Sequence, residues 1–349
     1  MSGPVQFTCP LPLAAKDRIV LGHGSGGKLS AELLHDVFLP FFRCPILNRQ
    51  DDQAVMEING ARLAFTTDSF VVKPLFFRGG DIGSLAVDGT VNDLAMGGAT
   101  PLYLSAGFIL EEGLEIETLR RVAESMGRAA DAIPIEIVTG DTKVVEKGSG
   151  DGLFINTTGI GLVPEGVRLS PSLVRAGDRV LLSGPIGDHG IAILAEREGI
   201  QFSTDLASDC APLHGLVAAM LAESLDIRAM RAPTRGGLSS ALNEIASRAG
   251  VGITIEESAI PLREEVRGAC EMLGLDPLYV ANEGKLVAFV APHAAEAVLA
   301  AMRRHPLGRD AVLIGGVTDT HPGLVLLRTP FGTTRIVDML PGDQLPRIC

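Results

Sequence analysis

No stretch of this sequence approaches the roughly 20 consecutive apolar residues that span a bilayer. Its opening, Met-Ser-Gly-Pro-Val-Gln-Phe-Thr-Cys, lacks the basic start and apolar centre of a secretory signal. Both absences predict a cytoplasmic globular protein. The 5 cysteines (Cys9, Cys44, Cys210, Cys270 and Cys349) are odd in number and contain no C-x-x-C pair, which argues against a disulfide framework and a zinc cage. The histidines form no H-x-x-x-H pair, so none is assigned to metal; His189 alone lies near a plausible loop site. Dense basic patches are missing too. Lys+Arg 30 against Asp+Glu 42 leaves a formal charge of -12, a surface that repels nucleic acid and anionic lipid. A nucleotide substrate is still admitted, because backbone N–H groups and carboxylate-bound metal ions can hold phosphates.

What is present points to two domains. A chain of 349 residues, 46% hydrophobic and with 41 glycines, can bury two cores joined by tight turns. Residues 1–17 read as an irregular lead-in. Residues 18–21 read as a strand, followed by a glycine loop over 22–28 and a helical pattern through Leu33, Leu34, Val37 and Phe38. A strand over 62–67 ends at Asp68, and helices are expected over 81–96 and 115–132. A strand over 133–138 runs into Gly140-Asp141-Thr142-Lys143. The pattern loosens over 164–176, the candidate domain boundary. Beyond it, strands at 179–182, 252–256, 286–290, 312–317 and 324–327 alternate with helices at 212–223, 238–249, 263–273 and 294–304. The expectation is an α/β (α+β) protein with domains at 18–165 and 176–330. A tail over 331–349 follows; from Pro341 onward it has no periodicity and reads as a mobile extension.

The glycine loop invites two readings. Gly22-x-Gly24-x-x-Gly27 satisfies the dinucleotide-binding pattern, with Asp51 or Asp52 as a candidate ribose acid, although 45–50 make a poor strand. Gly22-x-x-x-x-Gly27-Lys28 approaches the P-loop, but Leu29 stands where a magnesium-binding hydroxyl belongs. On pattern alone a plain turn is equally open, with N–H groups that could lie over phosphates.

More specific is the set of acids at strand ends or in glycine-bounded turns: Asp51, Asp52, Asp68, Asp93 and Asp141. Each alone reads as a cap or turn residue. Together they suit a polyphosphate with magnesium, which takes one or two carboxylates plus phosphate oxygens. Lys143, two residues after Asp141, supplies a cation for a developing phosphoryl charge, or is a solvated surface lysine. In the second half, Thr234-Arg235-Gly236-Gly237 offers N–H groups and a guanidinium to an anion, and Glu283 is a candidate base.

Cys349 is the last residue, where no prenylation box can be read because that motif needs its cysteine four from the end. An exposed thiol there is an oxidation liability, or a covalent handle on an arm reaching about 30 Å at ~3.3 Å per residue.

The stretches LGHGSGGK (21–28), DDQAV (51–55), TTDSF (66–70), VNDLAMGGA (91–99), TGDTK (139–143), PTRGG (233–237), ANEGK (281–285) and LPRIC (345–349) together resemble the HypE family of hydrogenase maturation proteins, in the PurM-like (aminoimidazole ribonucleotide synthetase) superfamily. The likeness runs in order from about residue 19 to the end, and the Pro-Arg-Ile-Cys ending is its specific part. Ala232 departs from it, standing where an Asp is expected. The resemblance implies a carbamoyl dehydratase. The Cys349 thiol would receive a carbamoyl group from the carbamoyltransferase HypF, ATP would activate its oxygen, and the product would be a thiocyanate. The cyano group would pass to the HypC–HypD complex and on to the iron of a [NiFe] hydrogenase. It further implies that Asp51, Asp52, Asp68, Asp93 and Asp141 hold magnesium and phosphates, that Gly24, Ser25, Gly26 and Gly27 cover the triphosphate, and that Thr142 and Arg235 help bind the nucleotide. Lys143 would stabilise the transferring group and Glu283 would be the base. A homodimer through the N-terminal domains is expected. The alternatives are an NAD(P)-binding oxidoreductase and a non-catalytic docking scaffold.

Overall fold

The computed structural model describes residues 18–42, 44–133, 135–200, 206–340, 342, 345 and 347–349. The lead-in expected over 1–17 lies outside the described residues. Short helices α1 (Lys28–Leu33) and α2 (Leu39–Phe42) precede strands β1 (Ala54–Ile58) and β2 (Ala61–Phe70). A small hairpin of β3 (Phe76–Phe77) and β4 (Gly80–Asp81) leads into α3 (Ile82–Met96), β5 (Thr100–Glu111), α4 (Ile116–Ala132), β6 (Glu136–Val145) and β7 (Leu153–Leu162). The sheet order is β1-β2-β7-β5-β6, with β5 and β6 parallel and the other pairs antiparallel.

One face of this sheet is covered by α3 and α4, and alternation explains how. Leu153, Ile155 and Thr157 of β7 point inward, as do Thr66 and Phe70 of β2. On α4 the buried Val122, Met126 and Ala130 fall four residues apart, a stripe along one side. Helix α3 is buried nearly all round, being wedged between the sheet and the second domain. Asp81 caps it, accepting from Gly83 N (2.7 Å) and Ser84 N (3.1 Å). The sheet's other face carries Phe65, Tyr103, Ile109, Ile160 and Leu162, all exposed.

The second domain comprises β8 (Arg179–Leu182), α5 (Asp188–Glu198), α6 (His214–Glu223), β9 (Ile227–Arg231), α7 (Gly237–Ala249), β10 (Gly252–Glu256), α8 (Glu264–Leu273), β11 (Val287–Val290), α9 (Ala295–Arg304), β12 (Val312–Thr318), β13 (Val325–Arg328) and β14 (Thr334–Val337). Its sheet runs β14-β13-β10-β12-β8-β11-β9. Alternate residues feed two cores: Val180 and Leu182 pack with α7, whereas Leu181 packs with α6 and α9. No helix among the described residues is long and apolar enough to cross a membrane.

Four local expectations are corrected. Residues 18–21 form no strand; Leu21–Gly24 is a 3-10 turn, because no strand among the described residues offers them a ladder partner. Asp68 does not end its strand, and Asp141 lies within β6, where pairing with β5 overrides the turn signal of Gly140-Asp141. Residues 334–337 belong to the sheet as β14, antiparallel to β13. The last described residues are seated in this structure. Ile348 is 4% exposed and packs into the first domain's core. Val71 N donates to Cys349 O (3.0 Å) and Lys73 N to Arg347 O (3.3 Å), adding the terminus beside residues 71–73.

Candidate active site

Between the domains lies a cavity of about 240 Å³ lined by Asp52, Asp68, Asp93, Arg235, Glu283 and Cys349, with small and neutral residues between them. Asp68 comes from the inner side of β2, Asp93 from the last turn of α3, and Asp52 from the approach to β1. Arg235 comes from the turn before α7, and Glu283 from the loop before β11. With Cys349 at the chain's end, the site is thus built from six separated stretches of chain, and neither domain alone completes it.

Polar scaffolding fixes these side chains. Thr66 Oγ1 donates to Asp93 Oδ2 and lies within the same reach of Asp52 O, both at 3.0 Å. The loop bearing Glu283 is held from several directions. Asp209 accepts from Glu283 N (3.0 Å), Gly284 N (3.2 Å) and Lys285 Nζ (2.9 Å). Asn92 Nδ2 donates to Glu283 O at 3.2 Å, and Asn282 Nδ2 donates to Pro233 O at 2.8 Å. A Cβ on Gly284 would collide with the Asp209 carbonyl, so only glycine permits this approach. Arg231 bridges Asp52 (2.5 Å) and Glu244 behind the cavity.

Burial dominates the electrostatics. It raises Asp52 to about 6, even against the pull of Arg231. Asp93 is pushed well above the carboxylate range by burial, then by the charges of Asp52 and Asp68. Asp68 is raised by burial, with Arg235 opposing. Glu283 is raised well above its ordinary value by burial and then by Asp68 and Asp209, with Arg235 opposing. Arg235 is itself raised, first by negative charge at residue 349 and then, against burial, by Asp68, Glu283 and Asp93. Four carboxyl groups therefore share a dehydrated space with too little positive charge to keep them all ionised.

That donor set fits magnesium. Asp52, Asp68 and Asp93 supply hard oxygen ligands, and their raised affinity for protons marks a place where cation binding would displace them. Among the described residues no three acids converge as ligands of a single ion, so any ion must complete its shell with other oxygens. Glu283 Oε1 is buried with no hydrogen-bond partner among the described residues, a polar atom left to meet a ligand.

The remaining sequence candidates are placed unevenly. Asp51 lines a small adjoining space of about 10 Å³ with Asp52 and Arg231, not the main cavity. Gly24 and Ser25 line a second cavity of about 150 Å³ that also contains Arg235, Ile348 and Cys349. Gly26 packs on Arg235, whose Nη1 donates to Gly24 O (3.0 Å), and Gly27 sits against the Leu340 carbonyl, which accepts from Lys28 N (2.9 Å). The glycine loop therefore closes over Arg235 and the chain's end; without a preceding strand it has no dinucleotide-fold context. Asp141, Thr142 and Lys143 lie on the sheet-edge strand β6, where Lys143 and Asp141 pair in solvent, and neither cavity includes them. Sequence reasoning missed Asn92, Arg231 and Asp209; Asn92 and Arg231 sat in plain view on a helix and strand, but Asp209 had no periodic context to betray it.

Comparison with known proteins follows the same two-domain division. Residues 50–163 match the AIR synthase related protein N-terminal domain and residues 175–326 the corresponding C-terminal domain. The carbamoyl dehydratase HypE of Cupriavidus necator is 54% identical over 100% of both chains. That of Escherichia coli K12 is 48% identical over 95% of this chain and 100% of its own. Among solved structures, a HypE in a HypE–HypF complex superposes with a TM-score of 0.84 at 48% identity, covering 88% of this chain and 99% of that one. A HypE in complex with ATP gives 0.81 at 48% identity, covering 95% and 100%.

Proposed function

Because the chain belongs to the HypE carbamoyl dehydratases, built on paired AIR synthase related domains, we propose that it uses ATP to convert an S-carbamoyl group on its own Cys349 into a thiocyanate. One observation carries this reading: the extreme end of the chain lies in the cavity that gathers Asp52, Asp68, Asp93, Arg235 and Glu283. The ATP bound by the related HypE supports the nucleotide assignment.

The carbamoyl oxygen of Cys349–S–C(=O)NH₂ attacks the γ-phosphorus of ATP, and ADP leaves. Both N–H protons are then lost, the C–O bond breaks with departure of phosphate, and Cys349–S–C≡N remains. Phosphorylation is needed because an amide oxygen is a poor leaving group. Glu283, buried and with a free acceptor oxygen, takes a nitrogen proton. Arg235, between the thiol and the acids, steadies charge that grows on the oxygen being transferred. The glycine loop over 24–27 excludes water from above. Magnesium, each ion taking one or two carboxylates from among Asp52, Asp68 and Asp93 and completing its shell with phosphate and other oxygens, would neutralise the polyphosphate.

Lys143, Thr142 and Asp141 fit this scheme through a second copy. The sheet face shared by Lys143 and Asp141 presents Phe65, Tyr103, Ile109, Ile160 and Leu162 to solvent, an apolar surface suited to a homodimer. Paired sheets would bring each copy's Lys143 toward its partner. HypF would load the thiol, as the complex of a related HypE with HypF supports. The cyano group would pass to HypC–HypD and then to a [NiFe] hydrogenase iron, all in the cytoplasm.

Mass spectrometry of the terminal peptide tests the reading. After incubation with carbamoyl phosphate, ATP and HypF it should gain a carbamoyl group and then lose one water. A peptide that stays unmodified sinks it.

A further inference from the structure

His189 stands outside the chemistry above, yet the structure ties it to the chain's last peptide. It lies in the first turn of α5, fully buried, with the Phe77 ring edge-on at 5.7 Å. Its Nε2 is 2.7 Å from Ile348 O and its Nδ1 is 2.8 Å from Ser208 Oγ. A carbonyl only accepts, so Nε2 carries the proton and donates to Ile348. The neutral ring must then accept at Nδ1, which makes Ser208 the donor there. Ser208 Oγ in turn accepts from Cys210 N at 3.1 Å. Every polar atom in this chain has one role, and the ring has a single orientation.

The same short segment secures the base. Asp209, between Ser208 and Cys210, holds the backbone of Glu283 and Gly284. The start of α5 grips that loop as well, through Gly187 N to Asn282 Oδ1 (2.7 Å) and Gly190 N to Ala281 O (3.1 Å). One bracket therefore bears on the strand of peptide carrying the thiol and on the loop carrying the carboxyl group.

We propose that His189, oriented by Ser208, is a positioning residue that latches the Ile348 carbonyl and so sets the Cys349 thiol in register with Glu283. The inference rests on Cys349 being the carrier. The latch is reversible by design of its parts: one hydrogen bond to a main-chain carbonyl holds the tail whatever group the thiol bears.

Trypsin reads the latch directly, because cleavage after Arg347 requires the terminus to leave its seat and releases the Ile348-Cys349 dipeptide. In the full-length protein, His189→Leu should speed that cleavage about tenfold and Ser208→Ala several-fold, while cleavage elsewhere is unchanged. His189→Gln, which keeps a donor near the Nε2 position, should return the rate to within about twofold of the unaltered protein. With carbamoylated protein, His189→Leu should lower kcat about tenfold and leave KM for ATP alone. If His189→Leu misfolds, Ser208→Ala and His189→Gln decide. Unchanged cleavage after Arg347 in Ser208→Ala and His189→Leu overturns the latch, and faster cleavage with unchanged kcat overturns its positioning role. Faster cleavage in the variants, with no modification of Cys349 in any form, upholds the latch and removes the carrier reading instead.

Discussion

Arg235 and Cys349 are the two residues common to the cavity around the chain terminus and the adjoining carboxylate cavity, and negative charge at residue 349 is the largest influence raising Arg235. The guanidinium thus stands where the end of the chain meets the acids. It lowers the proton affinity of both Asp68 and Glu283.

That relationship fixes a pH dependence. Glu283 must lose its proton to act as a base, so activity rises with pH through its acid limb. Without Arg235 the carboxyl group holds its proton to higher pH. Arg235→Met should move the acid limb of kcat/KM to higher pH and lower neutral-pH turnover about 10- to 100-fold. Arg235→Lys should restore part of both. A limb that stays in place in Arg235→Met would show that Glu283 is not the titrating group.

Glu283→Gln separates loading from dehydration. The amide is nearly isosteric, and the backbone bonds of residue 283 to Asp209 and Asn92 do not involve the side chain. Carbamoylation of Cys349 should proceed while dehydration slows about 10²- to 10⁴-fold. Mass spectrometry should find the carbamoyl adduct accumulating; conversion to thiocyanate at the normal rate would dismiss Glu283 as the base.

Asp88 predicts a stability effect. It is 6% exposed on α3, receives a hydrogen bond from Cys210 Sγ (3.5 Å), and is raised by burial to about 7. Below about pH 4 folded and unfolded chains both hold this proton, and the group contributes nothing. Between about pH 4 and 7 the unfolded chain releases it while the folded chain keeps it, so stability falls as pH rises, by a few kcal/mol in order of magnitude. Asp88→Asn removes this loss. Its melting temperature should exceed that of the unaltered protein near pH 8, with the difference shrinking near pH 5. An equal gap at both pH values would rule out the titration of Asp88 as the cause.

Much of this was legible in the sequence because periodicity survives folding. The helix over 115–132 shows its stripe at Val122 and Met126, and it forms as Ile116–Ala132. Strand β7 was passed over although Leu153, Ile155 and Thr157 alternate inward, because its threonines and glycines dilute the apolar signal. Asp141 misled for a physical reason: Gly-Asp-Thr reads as a turn locally, but nonlocal pairing with β5 keeps it extended. The seat of the chain's end was not legible, because its two anchors, Leu345 and Ile348, fit pockets made by distant residues. Asp209 and His189 act through backbone groups far along the chain, a kind of contact that leaves no spacing rule.

Lys143 offers the sharpest test of assembly. It shares the open sheet face with Tyr103 and Ile160 and does not line its own copy's cavity, so the proposed role in the reaction is one exercised from a second copy. Lys143→Ala and Cys349→Ala should each abolish thiocyanate formation, although Cys349→Ala should still bind ATP. Mixed and allowed to exchange subunits, they should recover about a quarter of the activity: half the dimers are hybrids, and one of their two sites joins an intact Cys349 to an intact Lys143 from the other copy. If Lys143 served its own copy, every site in the hybrid would lack one residue and the mixture would stay inactive. Sedimentation of Ile160→Glu supplies the companion measurement. A charge in the middle of that apolar face should give a monomer that has lost activity, whereas an active monomer would show that the second copy is dispensable.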